Sequence, residues 1–306
     1  MHSHHSHSGQ YCTHAAGQLE ECITEAERQG FSLFCLTEHI PRYELQDLYP
    51  GETQTLDDLT DMFTRYHKHA RALQARYKQE KRPMQLLVGL ETEYIRKPDL
   101  ARLDALRESF PVDFMVGSVH HVDGIPIDFD KATFLKAMEP FGQDISAFYK
   151  RYFEHQLEVM QTFQPAVIGH FDVILLMAPE GTDLLAHEAV CRQMQRNIEY
   201  AVGYGALFEL NSAAFRKGWD CAYPSRAIIR LMQDAGARFC LSDDSHGPKQ
   251  IGLNYAKMQA YVKEVGISQL HHLEASTGEL IGGRLQVKVV GTDMEAFFAF
   301  KARGET

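Results

Sequence analysis

The chain has 306 residues, 44% of them hydrophobic and 24% charged, with 31 Lys+Arg against 41 Asp+Glu for a net charge of −10. That is ordinary globular composition with room for a sizeable core, and 18 Phe and 13 Tyr exclude disorder. The acidic balance leaves no basic surplus to neutralise phosphates, which argues against a nucleic-acid binder or a binder of anionic membranes.

Short apolar runs of β-forming residues alternate with longer stretches of helical period, the pattern of parallel βα units. In chain order, strands are expected over 32–37, 85–89, 114–119, 166–169, 206–210 and 238–241. Helices are expected over 18–29, 56–81, 145–163, 187–203 and 225–235. The first places Leu19, Cys22, Ile23 and Ala26 on one face and stops at Gly30; the second is charged enough to lie on the outer surface. A last strand over 285–290 and a last helix over 293–301 close the chain. With no repeat and no Pro/Gly/Ser-rich linker, one domain spanning 1–306 is expected.

No apolar run approaches the ~20 residues needed to cross a bilayer, and no basic stretch followed by an apolar core marks a secretory signal. The six cysteines contain no C-x-x-C pair and read as reduced, mostly buried thiols. A cytoplasmic address is the expectation.

The residues after the strands carry the chemistry. The first strand runs into Glu38 and His39, the second into Glu91 and Glu93, and the third into His120 and His121. The fourth runs into His170 and Asp172, the fifth into Asn211, and the sixth into Asp243, Asp244 and His246. In a parallel barrel, such C-terminal strand ends converge on one face, where barrel enzymes place their active sites.

Histidine is over-used: five of the 16 fall within the first 14 residues, in Met1-His2-Ser3-His4-His5-Ser6-His7 and at His14. An affinity tag would look similar, but serines interrupt these histidines and no linker separates them from the first helix. In an extended strand residues i and i+2 share a side, so His2 and His4 are expected to grip one metal together. Imidazole and carboxylate donors without thiolate suit zinc, iron or manganese, and more than four ligands implies at least two ions. Clustered ions of this kind serve hydrolysis, as in phosphoesterases and amidohydrolases.

With these motifs in order, the chain resembles the polymerase-and-histidinol-phosphatase (PHP) family, and within it the branch of fungal histidinol-phosphate phosphatases. The resemblance runs from residue 1 to about residue 253. His2-x-His4 matches the family's H-x-H, and Thr37-Glu38-His39, Val88-Gly89-Leu90-Glu91, Gly117-Ser118-Val119-His120, Gly169-His170 and Asp244-x-His246 follow in the family's order. The third N-terminal histidine is His14 or His7. His14 is preferred, because the 25 positions from it to His39 leave room for one helix and one strand.

The resemblance implies an α/β fold, a distorted (β/α)7 TIM-like barrel with three divalent ions (zinc, iron or manganese) on its C-terminal face. It implies a ligand set of His2, His4, His14, His39, Glu91, His120, His170, Asp244 and His246. His2, His4, Glu91, Asp244 and His246 would serve one ion, Glu91, His120 and His170 a second, and Asp244, His14 and His39 a third. It further implies hydrolysis of L-histidinol phosphate by a metal-bridged hydroxide, with Asp244 or His246 protonating the leaving alcohol. Within 209–217, Asn211, Arg216 and Lys217 resemble the phosphatase branch, and with Arg42 they are the expected substrate-binding residues. Arg216 offers a fork to phosphate oxygens and Lys217 a point charge; Lys249 is a weaker candidate, and Tyr94 would shape the pocket. The alternatives are another small phosphate ester, a nucleic-acid end, or a histidine-rich metal-storage protein.

Overall fold

The computed structural model describes residues 1–142, 144–281 and 284–299. Seven parallel strands form one sheet: β1 (His2–Ser3), β2 (Leu33–Leu36), β3 (Gln85–Glu91), β4 (Phe114–Gly117), β5 (Val167–Ile168), β6 (Leu207–Asn211) and β7 (Arg238–Ser242). His4 N donates to Leu241 O at 3.2 Å, bringing the start of the chain against β7 and nearly closing the sheet into a barrel. Helices α1 (Leu19–Arg28), α2 (Leu56–Gln79), α3 (Asp99–Ser109), α4 (Lys131–Met138), α5 (Ile145–Phe163), α6 (Glu188–Tyr204), α7 (Ala213–Arg216), α8 (Arg226–Asp234) and α9 (Tyr255–Glu264) follow the strands. The chain ends in an antiparallel hairpin, β8 (Gln269–Ile281) and β9 (Arg284–Asp293), and α10 (Met294–Ala299). Residues 300 and 301 of the expected last helix lie outside the described residues.

The alternation of each strand sorts the core into two layers. Phe34, Leu36, Leu86, Val88, Leu90, Ile168, Phe208, Leu210 and Leu241 pack in the large cluster shared with the helices. The residues between them, Leu33, Cys35, Leu87, Phe114, Val116, Val167, Leu207 and Cys240, form a second cluster that fills the barrel, with Leu273 of β8 packed into it. The charged helix α2 does face solvent on one side, but it buries Leu59, Phe63, Tyr66, Ala70, Leu73 and Tyr77, a stripe at helical spacing. The Tyr66 hydroxyl lies 2.6 Å from Leu36 O and 2.7 Å from Gly89 O, fixing α2 across β2 and β3.

Following the interior rows upward by steps of two leads out of the apolar core into the polar site. Leu33 and Cys35 lead to Thr37 and His39; Leu87 leads through Gly89 to Glu91; Phe114 and Val116 lead to Ser118 and His120. Leu207 leads to Glu209 and Asn211, and Cys240 through Ser242 to Asp244. The period of two that builds the barrel therefore stacks the site as its top layers.

Candidate metal centre

Glu91 sits at the middle. Its Oε1 lies 3.0 Å from His170 Nε2 and 3.3 Å from His120 Nε2, and its Oε2 lies 3.1 Å from His5 Nε2, 3.3 Å from His7 Nε2 and 3.0 Å from His39 Nδ1. Asp244 approaches from the other side, with Oδ1 at 3.7 Å from His5 Nε2, 3.5 Å from His7 Nε2 and 3.7 Å from His246 Nδ1. Asp244 has φ +45°, a left-handed backbone that Asp tolerates better than most residues and that marks a constrained site. His14 completes the rim, its ring 4.9 Å from that of His246 and 5.6 Å from that of His39.

Carboxylates behind the imidazoles fix which nitrogen faces the centre. Glu209 Oε1 lies 3.0 Å from His5 Nδ1, Glu93 Oε1 lies 3.1 Å from His120 Nδ1, and Glu38 Oε2 lies 3.5 Å from His7 Nδ1. Glu38 is itself held by Ser8, whose N and Oγ donate to its Oε1. Glu93 also reaches His121 Nδ1 at 3.1 Å, and Glu209 Oε2 accepts from His170 N at 2.7 Å. Carboxylate behind imidazole is the arrangement that orients metal-binding histidines and raises their basicity. Gly169 is required beneath it, because a Cβ there would stand 2.4 Å from Ser118 Oγ.

The donor set fits divalent ions. His5 Nε2, both ring nitrogens of His7 and His39 Nδ1 are buried with no hydrogen-bond partner, although carboxylates stand nearby. His120 Nε2 and His170 Nε2 face each other at 3.1 Å, close to the roughly 3.3 Å separating two imidazole nitrogens on one tetrahedral zinc. His5, Glu91 and His170 bring donor atoms within 4.8 Å of one another, as do His5, His7 and Asp244, and His14, His39, His246 and Cys12. Charge balance says the same. Burial disfavours charge on His5, yet Glu91, Asp244 and Glu209 outweigh it and hold the pKa well above its ordinary value. For His7, burial is likewise outweighed by Asp244, Glu38 and Glu91, which raise the pKa to about 10. So many buried carboxylates demand positive charge, from protons or from cations.

Of the expected ligands, the structure brings together His14, His39, Glu91, His120, His170, Asp244 and His246. It does not bring His2 and His4, and the H-x-H that reaches the centre is His5-x-His7. His2 pairs with Leu33, at the start of β2, whereas the centre lies beyond the end of that strand. At ~3.3 Å per residue this sets His2 and His4 inside the barrel wall, below the site. His4 Nδ1 donates to Leu241 O at 3.2 Å and its Nε2 accepts from Leu273 N at 3.1 Å; His2 Nε2 accepts from Leu241 N at 3.0 Å. His4 thus has both ring nitrogens and His2 has its Nε2 committed to backbone, and burial lowers His4 to about 4. A second ribbon, Ser6–His7 against Ser245–His246, resets the alternation after His4 and carries His5 and His7 to the mouth.

Two expected substrate residues are also placed elsewhere. Asn211 is fully buried, with Nδ2 donating to Glu209 Oε1 at 3.1 Å and lying 3.4 Å from Asp244 Oδ2, so it braces the centre. Arg42 pairs with Glu52 at 3.1 Å and lies over the Tyr49 ring at 4.5 Å. Arg216 and Lys217 do line the cavity above the centre, about 530 Å³ in volume, along with Gln250. Arg216 Nη2 donates to Asp244 O at 3.1 Å. Tyr94 donates to Glu158 and lines a separate cavity, and Lys249 lies outside the main cavity's lining. In the sequence His7 stands only as the alternative to His14 and His5 has no assigned role; Glu93 and Glu38 sit beside expected ligands, while Glu209 lies 204 positions from the imidazole it orients.

No helix among the described residues is long and apolar enough to cross a membrane. A PHP domain matches residues 3–213. A Schizosaccharomyces pombe protein named probable histidinol-phosphatase is 46% identical over 275 residues, 89% of this chain and 89% of its own length. The Saccharomyces cerevisiae histidinol-phosphatase is 32% identical over 87% of this chain and 89% of its own length. The barrel is also that of a Lactococcus lactis histidinol phosphate phosphatase solved with zinc, L-histidinol and phosphate, at TM-score 0.67 and 20% identity, covering 93% of this chain and 98% of that one. By the length of the matched domain and by these relatives, the chain belongs to the PHP domain family.

Proposed function

We propose that this chain is a metal-dependent phosphomonoesterase that hydrolyses L-histidinol phosphate to L-histidinol and phosphate in histidine biosynthesis, acting in the cytoplasm as one domain over 1–306 without a nucleic-acid partner. The observation that carries the reading is the convergence of seven imidazoles on Glu91 and Asp244, five of them lining one cavity together with Arg216 and Lys217. The names of the two yeast relatives and of the Lactococcus structure supply the substrate.

Three divalent ions suit the donors: His5, His7, Glu91 and Asp244 for one, Glu91, His120 and His170 for another, and His14, His39, His246 and Asp244 for the third. Imidazole with carboxylate accommodates zinc, iron or manganese, and zinc in the Lactococcus relative supports zinc. Bound ions of this kind acidify water and neutralise phosphoryl oxygens. The chain's own residues do the rest. Arg216 forks toward the equatorial oxygens, anchored on the Asp244 carbonyl. Lys217 adds a point charge, and its ammonium lies 5.9 Å from the Tyr223 ring. His246 and Asp244, both held well below their ordinary pKa and so unprotonated at neutral pH, would serve the departing alcohol by orienting the water that protonates it. The His246 ring is tied to the Asp244 backbone by the 3.0 Å approach of its Nδ1 to Asp244 O.

The test is turnover of a panel of small phosphate esters by the zinc-, iron- or manganese-loaded protein. Histidinol phosphate should lead the panel in kcat/KM by at least about tenfold, and chelation should remove the activity. A panel in which histidinol phosphate is no better than the others would overturn the substrate assignment.

A further inference from the structure

The cavity lining is of two chemical kinds. Arg216 and Lys217 supply cations, and Asp128, Phe129 and Tyr49 supply a carboxylate beside two aromatic rings. The acidic and aromatic part is fixed by local sequence. After β4, His121–Val122 pairs antiparallel with Ile125–Pro126 around Asp123-Gly124, both at positive φ as a tight hairpin turn requires. Ile127, fully buried, donates its N to His120 O at 2.9 Å and pins the hairpin to the wall of the centre. Asp130 then caps α4 by accepting from Thr133 N at 2.7 Å. These two anchors hold the backbone of Asp128 and Phe129 at the opening.

Four carboxylates line the cavity, and three are committed. Glu91 and Asp244 belong to the imidazole cluster. Glu52 pairs with Arg42 and accepts from Tyr49 N at 2.8 Å and Thr13 Oγ1 at 3.1 Å. Asp128 alone among them has a buried carboxylate oxygen, Oδ1, with no hydrogen-bond partner. A buried carboxylate oxygen without a donor is costly, and a donor from a bound molecule would satisfy it. Beside it, Phe129 and Tyr49 stack with centroids 5.5 Å apart and planes at 22°, with the Arg42 guanidinium over the Tyr49 ring. Phe129 is 40% exposed, an unusual state for a large apolar ring at the lip of a polar cavity.

We propose that Asp128 and the Tyr49–Phe129 stack form the subsite for the alcohol half of the substrate: Asp128 takes a primary ammonium and the stack takes a flat ring. This rests on the phosphatase reading above and makes the site selective for phosphate esters of amino alcohols. The phosphate and the amine are then read by separate side chains of opposite charge.

The experiment compares the metal-loaded wild type with Asp128→Asn, with metal content measured to show that both carry the same ions. Three readouts are taken: calorimetric binding of L-histidinol, inhibition by inorganic phosphate, and kcat/KM for 3-aminopropyl phosphate against its neutral isostere n-butyl phosphate. The variant should bind L-histidinol about tenfold to hundredfold more weakly, the range for one charge-assisted hydrogen bond, with phosphate inhibition within twofold of wild type. Wild type should prefer the amino ester and the variant should lose that preference. Unchanged L-histidinol binding, or an amino-ester preference equal in both proteins, would overturn the subsite. Failure of wild type to turn over histidinol phosphate would instead overturn the substrate assignment. The amino-ester pair still decides whether Asp128 reads an amine.

Discussion

Two pairs of histidines, His2 with His4 and His5 with His7, share the same spacing and stand side by side in the chain, yet they end in opposite environments. His5 and His7 emerge at the barrel mouth among Glu91, Asp244, Glu209 and Glu38 and are drawn toward positive charge. His2 and His4 lie below, against backbone groups of Leu241 and Leu273 and the rings of Phe297 and Phe114, where burial keeps them neutral. Residue type does not make a ligand. A carboxylate partner does, because it supplies the negative charge that a cation balances.

The largest effect is expected from the carboxylates. Asp244→Asn removes one charge from the centre while keeping its shape, and should cut kcat by about a hundredfold to a thousandfold with the melting temperature of the chelated protein nearly unchanged. Full activity in that variant would show that the mouth cluster is not the catalytic centre. Glu209→Gln should act one step back: by leaving His5 less firmly oriented it should weaken ion binding by about tenfold to a hundredfold, read by competition with a chelating dye.

Protonation sharpens the contrast further. His7 in the ion-free protein is raised to about 10, above its ordinary value, so its charge stabilises the fold fully below pH 6.5 and that contribution is lost as pH rises through 10. Ions must displace such protons, so loading the chelated protein at pH 7 should release protons, and apparent affinity should rise with pH. A pH-indicator titration with no proton release would contradict the charge assignment. The smallest effect is expected at the lower pair. His4→Leu leaves Leu273 N without a partner and Leu241 O with only the His4 N–H, costing about 1–3 kcal/mol of stability by denaturant unfolding, with kcat unchanged.

Much of this architecture is legible in the chain because a single period governs it. Apolar runs ending in His, Glu or Asp already mark the strand ends, since the same alternation that fills the barrel with Leu33, Leu87 and Cys240 places His39, Glu91 and Asp244 above them. What local reading cannot supply is register. A two-residue strand, His2–Ser3, carries no internal signal of height in the barrel, and only its pairing with Leu33 and Phe34 shows that the first H-x-H stops short of the mouth. Partners distant in sequence are equally hidden: Glu209 behind His5, and Asn211 turned inward to Asp244. The loop that gives Arg42 its partner Glu52 has no period from which that pairing could be read.

The most direct measurement is elemental analysis of paired variants, His5→Ala beside His2→Ala, each purified with zinc and dialysed. His5→Ala should lose at least one ion per chain relative to wild type, and His2→Ala should keep the wild-type number. Loss of ions from His2→Ala with His5→Ala unaffected would contradict the account and return the metal centre to the first pair.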